Sequence, residues 1–234
     1  MLRKEQFCPK EYYHIYSRTI LNIPSFNDRN NAIRLKQAFL LSNSTNSSEA
    51  FQFLRNNNDA TLEKIIKILN KGEKHVDILC YSIMPDHYHL LIFELRENGI
   101  INFIRKCNTS IAKYINIKND RLGPVFESRF KAKHVDSNEY LIHLSLYIHL
   151  NPLDIISGKA WRENKLKNWF QEKEKLIKYP WSSLRFYLNE NHKDPIISGE
   201  KIITEQFKNK KDYEDFLRDW AEESNKKIDN LIID

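Results

Sequence analysis

The chain has 234 residues, 41% hydrophobic and 12% aromatic, with only 5 Gly and 7 Pro, which excludes collagen-like, low-complexity and disordered classes and suits one domain or one domain with an appendage. Its 37 Lys and Arg against 31 Asp and Glu leave a net +6, which alone fits either a polyanion partner or a solvated lysine-rich surface. Three dispersed cysteines (Cys8, Cys80, Cys107) argue against a disulfide framework or a cysteine zinc site, and no apolar run nears the roughly 18 residues of a membrane span.

Residues 11–18 (EYYHIYSR) read as a strand. Asn27 or Asp28 caps a helix running to about Leu41, with Ile33, Phe39 and Leu40 among its apolar positions. The polar stretch 42–58 reads as a loop or insertion, and 60–70 as a helix carrying Leu62, Ile65, Ile66 and Leu69, with Gly72 as its stop. Two strand-like runs, 75–84 and 87–95, have only Pro85-Asp86 between them and predict a tight antiparallel hairpin or bend. Residues 100–117 suit a helix, with Ile104, Ile111 and Ile115 on its apolar side and Arg105 and Lys106 exposed. Beyond Gly123-Pro124, residues 125–134 read as a strand. Alternation there puts Val125, Glu127, Arg129, Lys131 and Lys133 on one face and Phe126, Ser128, Phe130 and Ala132 on the other. Asn138 caps a helix over 139–150, stopped by Pro152. Residues 159–178 read as helical or irregular, 179–188 as a cap anchored by Tyr and Trp, and 200–227 as one or two amphipathic helices. This order predicts an α+β fold: an antiparallel sheet with helices mainly on one face, in a ferredoxin-like split-βαβ topology. The expected domains are 1–189 and an acidic helical extension, 190–234.

Charge is unevenly placed. Residues 101–135 hold eight Lys and Arg against two acidic residues. Residues 190–234 hold twelve acidic and eight basic residues, a balance of −4, so the first 189 carry +10. A basic body suggests a polyanion partner. The N-terminal MLRKEQFCPKEYY has no signal-peptide core, and with reduced cysteines this points to the cytoplasm.

His87-Tyr88-His89 lies in a strand, where a spacing of two puts both imidazoles on one face. Such a pair can hold one divalent ion, or be two half-buried strand histidines. Tyr147 stands one helical turn after His143 and one before Asn151, so the three share a face. Taken singly, Tyr147 reads as packing beside Leu141, Leu144 and Ile148, and His143 as a helix-surface residue. Trp161, Trp169 and Trp181 read as anchors.

The motifs MPDHYHLL (84–91), GPVFESRFKAK (123–133), YIHLNP (147–152) and YPWSS (179–183) occur in this order, after the leading YYHIYSR (12–18). Together they resemble the single-tyrosine HUH transposases, and especially the REP-associated tyrosine transposases, over about residues 11–189. In that family the first motif is like PNHxHLL, so Asp86 stands in place of an Asn. The third is followed by a basic Val-Arg-Ala-like ending, where this chain has Leu153-Asp154. The resemblance implies a metal pair of His87 and His89, completed by Asn151, with Mg²⁺ or Mn²⁺ as the ion and Tyr147 as nucleophile. It also implies DNA contacts from Arg129 and, on the first strand, Arg18. The basic residues Arg105, Lys106, Lys131 and Lys133 join them as expected DNA contacts. The implied partner is single-stranded DNA beside a hairpin, the setting the nucleoid, and the protein a monomer or homodimer.

The chemistry is consistent with those roles. A free phenol titrates near pH 10, so a divalent cation that polarises the phosphate assists its attack. A 5′-phosphotyrosine conserves the phosphodiester energy for strand transfer. The alternative is a domesticated nucleic-acid-binding protein with vestigial catalysis, for which the set His87, His89, Tyr147 and Asn151 is superfluous.

Overall fold

The computed structural model describes residues 6–163, 166, 168–189 and 191–223. The last residues of the expected tail helices, 224–227, lie outside these, as does the MLRKE that opens the chain. Four strands form one antiparallel sheet: β1 (Tyr12–Arg18), β2 (Val76–Ile83), β3 (His87–Glu94) and β4 (Lys131–Val135), in the order β2-β3-β1-β4. Helices α1 (Arg29–Ser42), α2 (Ser47–Asn56) and α3 (Leu62–Leu69) connect β1 to β2, and α4 (Gly99–Lys118) connects β3 to β4. This is the ferredoxin-like split-βαβ topology. After β4 the chain forms α5 (Asn138–Leu150), α6 (Leu153–Ile156), α7 (Trp169–Lys178), α8 (Leu184–Leu188), α9 (Lys201–Thr204) and α10 (Lys210–Glu223). Among the described residues no helix is long and apolar enough to cross a membrane.

Strand alternation divides the interior into two layers. Tyr13, Ile15, Tyr88, Leu90 and Ile92 face α1 and α4, with Ala38, Phe39, Phe103, Ile104 and Cys107 opposite. Leu91 faces the other way, toward Leu144, Leu146, Tyr147 and Ile148 of α5. A register shift between Ile78 and Cys80 lets β2 feed Leu79 and Cys80 into this second layer. Both sheet faces are thus covered, one by the crossover helices and one by α5 and the C-terminal helices.

Local chemistry sets the element boundaries. Asp28 caps α1, accepting hydrogen bonds from the backbone N–H of Asn30 at 2.9 Å and Asn31 at 3.3 Å. Ser137, one residue before the expected cap, accepts from Tyr140 N–H and starts α5. Gly99 opens α4 because a Cβ there would stand 2.3 Å from the His75 carbonyl oxygen. Buried Glu94 accepts the Ile100 N–H at that helix start.

Two segments differ from the sequence reading. Within the stretch expected to be a loop or insertion, residues 47–56 form α2, whose Ala50 packs with Leu41, Ile65 and Leu69 in a small third cluster. Residues 125–130 are not strand; only 131–135 pair with β1. Val125 and Phe126 are adjacent and both buried, so the chain abandons alternation there. That segment joins the sheet through Ile20 N–H to Val125 O and Glu127 N–H to Arg18 O.

The described part of the acidic C-terminal region packs on the body. Ile203, Tyr213, Leu217, Trp220 and Ala221 belong to the same buried cluster as α5. The YPWSS segment lies along the edge of β2, where Ile83 N–H donates to Trp181 O and Ser183 N–H to Tyr81 O. Covering a sheet edge removes a site of strand addition.

Candidate active site

His87 and His89 are on the α5 face of β3, paired across the sheet with Arg18 and Tyr16 of β1. Their rings are 4.9 Å apart at their centres and nearly perpendicular. Tyr147, in the last turn of α5, meets His89 edge-on at 5.8 Å. Asn151 follows one turn later, where its N–H closes the helix on Tyr147 O. Three residues spread over 61 positions of sequence, His87 to Tyr147, therefore meet on one side of the sheet, and Asn151 stands one helical turn beyond.

Each histidine has its Nδ1 engaged. His87 Nδ1 is 2.7 Å from Asp86 Oδ1. His89 Nδ1 is 2.9 Å from Nε2 of His14, a fully buried residue on β1. A carboxylate accepts from His87 Nδ1–H, which leaves the Nε2 lone pair free to bind a cation. The buried His87 Nε2 has no hydrogen-bond partner. Burial, and then the neighbouring His87 and His14, push His89 well below the ordinary histidine range, so it is neutral at pH 7. Burial, with Lys133 second, lowers His14 to about 3. Asp86 is held below the usual carboxylate range: its burial acts the other way but is outweighed by the hydrogen bond and charge of His87, with Arg18 adding to them. The Arg18 Nε lies 4.0 Å from Asp86 Oδ2.

The two imidazoles thus suit a divalent cation. Among the described residues there is no cluster of three His, Cys, Asp or Glu, and the amide expected as third donor is Asn151. Asn151 is 1% exposed. Its Oδ1 accepts from Arg162 Nη2 at 2.9 Å, while its buried Nδ2 has no partner. The amide oxygen would have to be shared between guanidinium and ion, or turned over, to reach a cation.

Sequence reasoning missed three residues here. His14 sits within the leading YYHIYSR, but only strand pairing brings it to His89. Asp154 and Arg162 lie beyond the third motif. Arg162 is held by Asp154 through its Nε at 3.0 Å and Nη2 at 2.8 Å, and its Cζ is 5.3 Å from the centre of the Tyr147 ring. Trp161, the residue before it, donates its indole N–H to the same carboxylate at 2.7 Å and faces Tyr147 at 6.5 Å.

The basic residues fall into two groups. Lys131 and Lys133 project from β4 on the α5 face, their ammonium groups 5.4 Å from the Tyr16 ring and 4.8 Å from the Tyr140 ring. With Arg18 they flank the histidines. Arg105 and Arg129 instead line a hollow of about 670 Å³ with Ile104, Phe126 and Phe130, between α4 and the loop before β4. Lys106 is on α4, its ammonium bonded to Ser47 Oγ at 2.6 Å and Ser44 O at 3.4 Å.

The family model described as "Transposase IS200 like" matches residues 48–151. Over that span the chain resembles the IS200-like transposases. The matched span includes His87, His89, Tyr147 and Asn151, whereas His14, Asp154, Arg162 and the YPWSS segment lie outside it. No curated protein matches the chain. A solved structure described as the REP-associated tyrosine transposase bound to a REP hairpin is similar at a TM-score of 0.46 and 11% identity, covering 85% of this chain and 92% of that one. The matched span contains α3, β2, β3, α4, β4 and α5 with most of α2, and the rest of the chain supplies β1 and the layer that packs on α5.

Proposed function

We propose that the protein is a metal-dependent DNA strand-transferase of the REP-associated type, in which Tyr147 attacks a phosphodiester of single-stranded DNA beside a hairpin. The observation that carries this reading is the convergence of His87, His89 and Tyr147 on one sheet face, within the IS200-like span. A nucleic-acid binder needs neither the nucleophile nor two histidines with their Nδ1 atoms fixed.

In the step proposed, the Tyr147 oxygen forms a bond to phosphorus and the bond from phosphorus to the 3′ oxygen breaks. The phenol proton goes to solvent, and the departing 3′ oxygen takes one from solvent. A 5′-phosphotyrosine and a free 3′-hydroxyl result, and the reverse attack by a 3′-hydroxyl rejoins DNA without an external energy source. Mg²⁺ or Mn²⁺, held by His87 and His89 with Asn151 as the third donor, would polarise the phosphate oxygens. Asp86 and His14 hold the two rings in the orientation that presents Nε2. Arg18, Lys131 and Lys133 attract the backbone on the same face, and Arg105 and Arg129 do so at the α4 hollow.

The test is a hairpin-flanked single-stranded oligonucleotide incubated with protein in Mn²⁺ or in EDTA and run on a denaturing gel. An SDS-resistant adduct in Mn²⁺ alone is expected. DNA binding with no adduct on any hairpin substrate would identify a nucleic-acid-binding protein with vestigial chemistry instead.

A further inference from the structure

We infer that Arg162 is a catalytic residue of this site: its guanidinium contacts the Tyr147 nucleophile and stabilises the negative charge that gathers on oxygen as the phosphate is attacked. The inference rests on the proposed role of Tyr147.

Four observations carry it. Arg162 lies over the Tyr147 ring, its Cζ 5.3 Å from the ring centre, so guanidinium and phenol interact directly. The same guanidinium donates to Asn151 Oδ1, so one cation touches both Tyr147 and the residue one helical turn beyond it. Asp154 grips it through Nε and Nη2, which fixes the plane of the fork. Finally, 14% side-chain exposure places this cation inside the protein, where a fixed charge acts far more strongly than it does in water.

A purely structural ion pair does not account for this placement. Pairing with Asp154 satisfies the carboxylate, but it does not require a guanidinium to reach two further residues of the candidate site. Residue 154, just beyond the third motif, is an acid. That acid recruits a cation from eight residues further on and directs it at Tyr147. Tyr147 is fully buried beneath Trp161 and Arg162, so the 159–163 turn must shift for a phosphate to reach it.

Single-turnover adduct formation at saturating DNA and Mn²⁺ tests the inference, in wild type and in Arg162→Ala, Arg162→Met and Arg162→Lys. The alanine and methionine variants should lose about 100-fold or more in rate, the loss seen when one fixed donor to a developing oxyanion is removed. Arg162→Lys should fall between them and wild type, and added guanidinium should restore part of the rate of Arg162→Ala but not of Arg162→Met. Manganese affinity, read by electron paramagnetic resonance, should not weaken, because the variants remove a positive charge from the neighbourhood. Wild-type rates in folded Arg162→Ala or Arg162→Met overturn the inference, and so does a rate loss matched by an equal loss of manganese affinity. If alanine unfolds the protein, the methionine variant, which keeps the volume, decides. Absence of any adduct from wild type would instead overturn the role of Tyr147 itself.

Discussion

At the scale of the residue, the candidate site is an exercise in fixing imidazoles. A histidine that binds a cation through Nε2 must carry its proton on Nδ1, and something must accept that proton. Asp86 is placed to do so for His87, its carboxylate 2.7 Å from Nδ1. His14 does so for His89 from the neighbouring strand. His14→Phe, which retains bulk but not the acceptor, should therefore weaken Mn²⁺ binding by about 10- to 100-fold in a calorimetric titration. Unchanged affinity would show that His89 needs no such partner. The histidine pair and Tyr147 were singled out in the sequence by the resemblance of their motifs to the single-tyrosine HUH transposases; local periods, two in a strand and four in a helix, placed the histidines on one strand face and Tyr147 with Asn151 on one helix face. His14, Asp154 and Arg162 were not singled out. Their roles arise from strand pairing and from an ion pair across a turn, which no local period encodes.

At the scale of the element, the order of strands and helices followed from apolar patterning, and with it the split-βαβ topology. The polar stretch before Gly72 was misread because Ala50 and the neighbouring small residues bury a face that polarity conceals. The strand expected over 125–134 begins only at Lys131, because Gly123, at φ +102°, and Pro124 turn the chain while Val125 and Phe126 both go inside. What remains of that strand carries Lys131 and Lys133 beside the histidines. Replacing both with alanine should reduce the salt dependence of DNA binding by about two phosphate contacts. Lys106→Ala, whose ammonium is bound to Ser47 on the far face, should leave that slope unchanged. An equal effect of all three would place the DNA path elsewhere. The C-terminal helix α10 is similarly tied to the site: Tyr213 is 2.7 Å from Nδ1 of buried His149, and Trp220 is 6.1 Å from Trp161. Leu217→Ala, at a fully buried position of α10, should cost about 2 to 5 kcal/mol in a denaturant titration. A cost below 1 kcal/mol, the scale of an exposed substitution, would mean that α10 is detachable.

At the scale of the whole molecule, stability in acid depends on histidines buried in neutral form. Burial, with the charges of Lys106 and Arg96, lowers His75 to about 4, and burial alone lowers His149 to about 3. His14 behaves alike. In the unfolded chain each takes up a proton near pH 6.5, whereas the folded forms resist it. The unfolded state therefore binds more protons as pH falls through 6.5, and stability present above that pH is lost progressively toward about 4. Thermal melts in EDTA should show the melting temperature falling between pH 7 and 5, above the range in which carboxylates titrate. A flat profile there would show that these rings accept protons in the folded state. The same low affinity for protons keeps His14 and His89 neutral at pH 7, the form a metal ligand requires. Acid lability and the proposed chemistry thus meet at His14 and His89, imidazoles buried on the α5 face of the sheet.

The central claim is that the phenol of Tyr147 becomes the covalent carrier of DNA. It is tested most directly by forming the adduct on a hairpin-flanked strand in Mn²⁺, digesting both polymers, and sequencing the modified peptide by mass spectrometry. The predicted result is a nucleotide joined through its 5′ phosphate to Tyr147, and no adduct from Tyr147→Phe although that variant still binds the DNA. An adduct on another residue, or one that persists in Tyr147→Phe, would contradict the account.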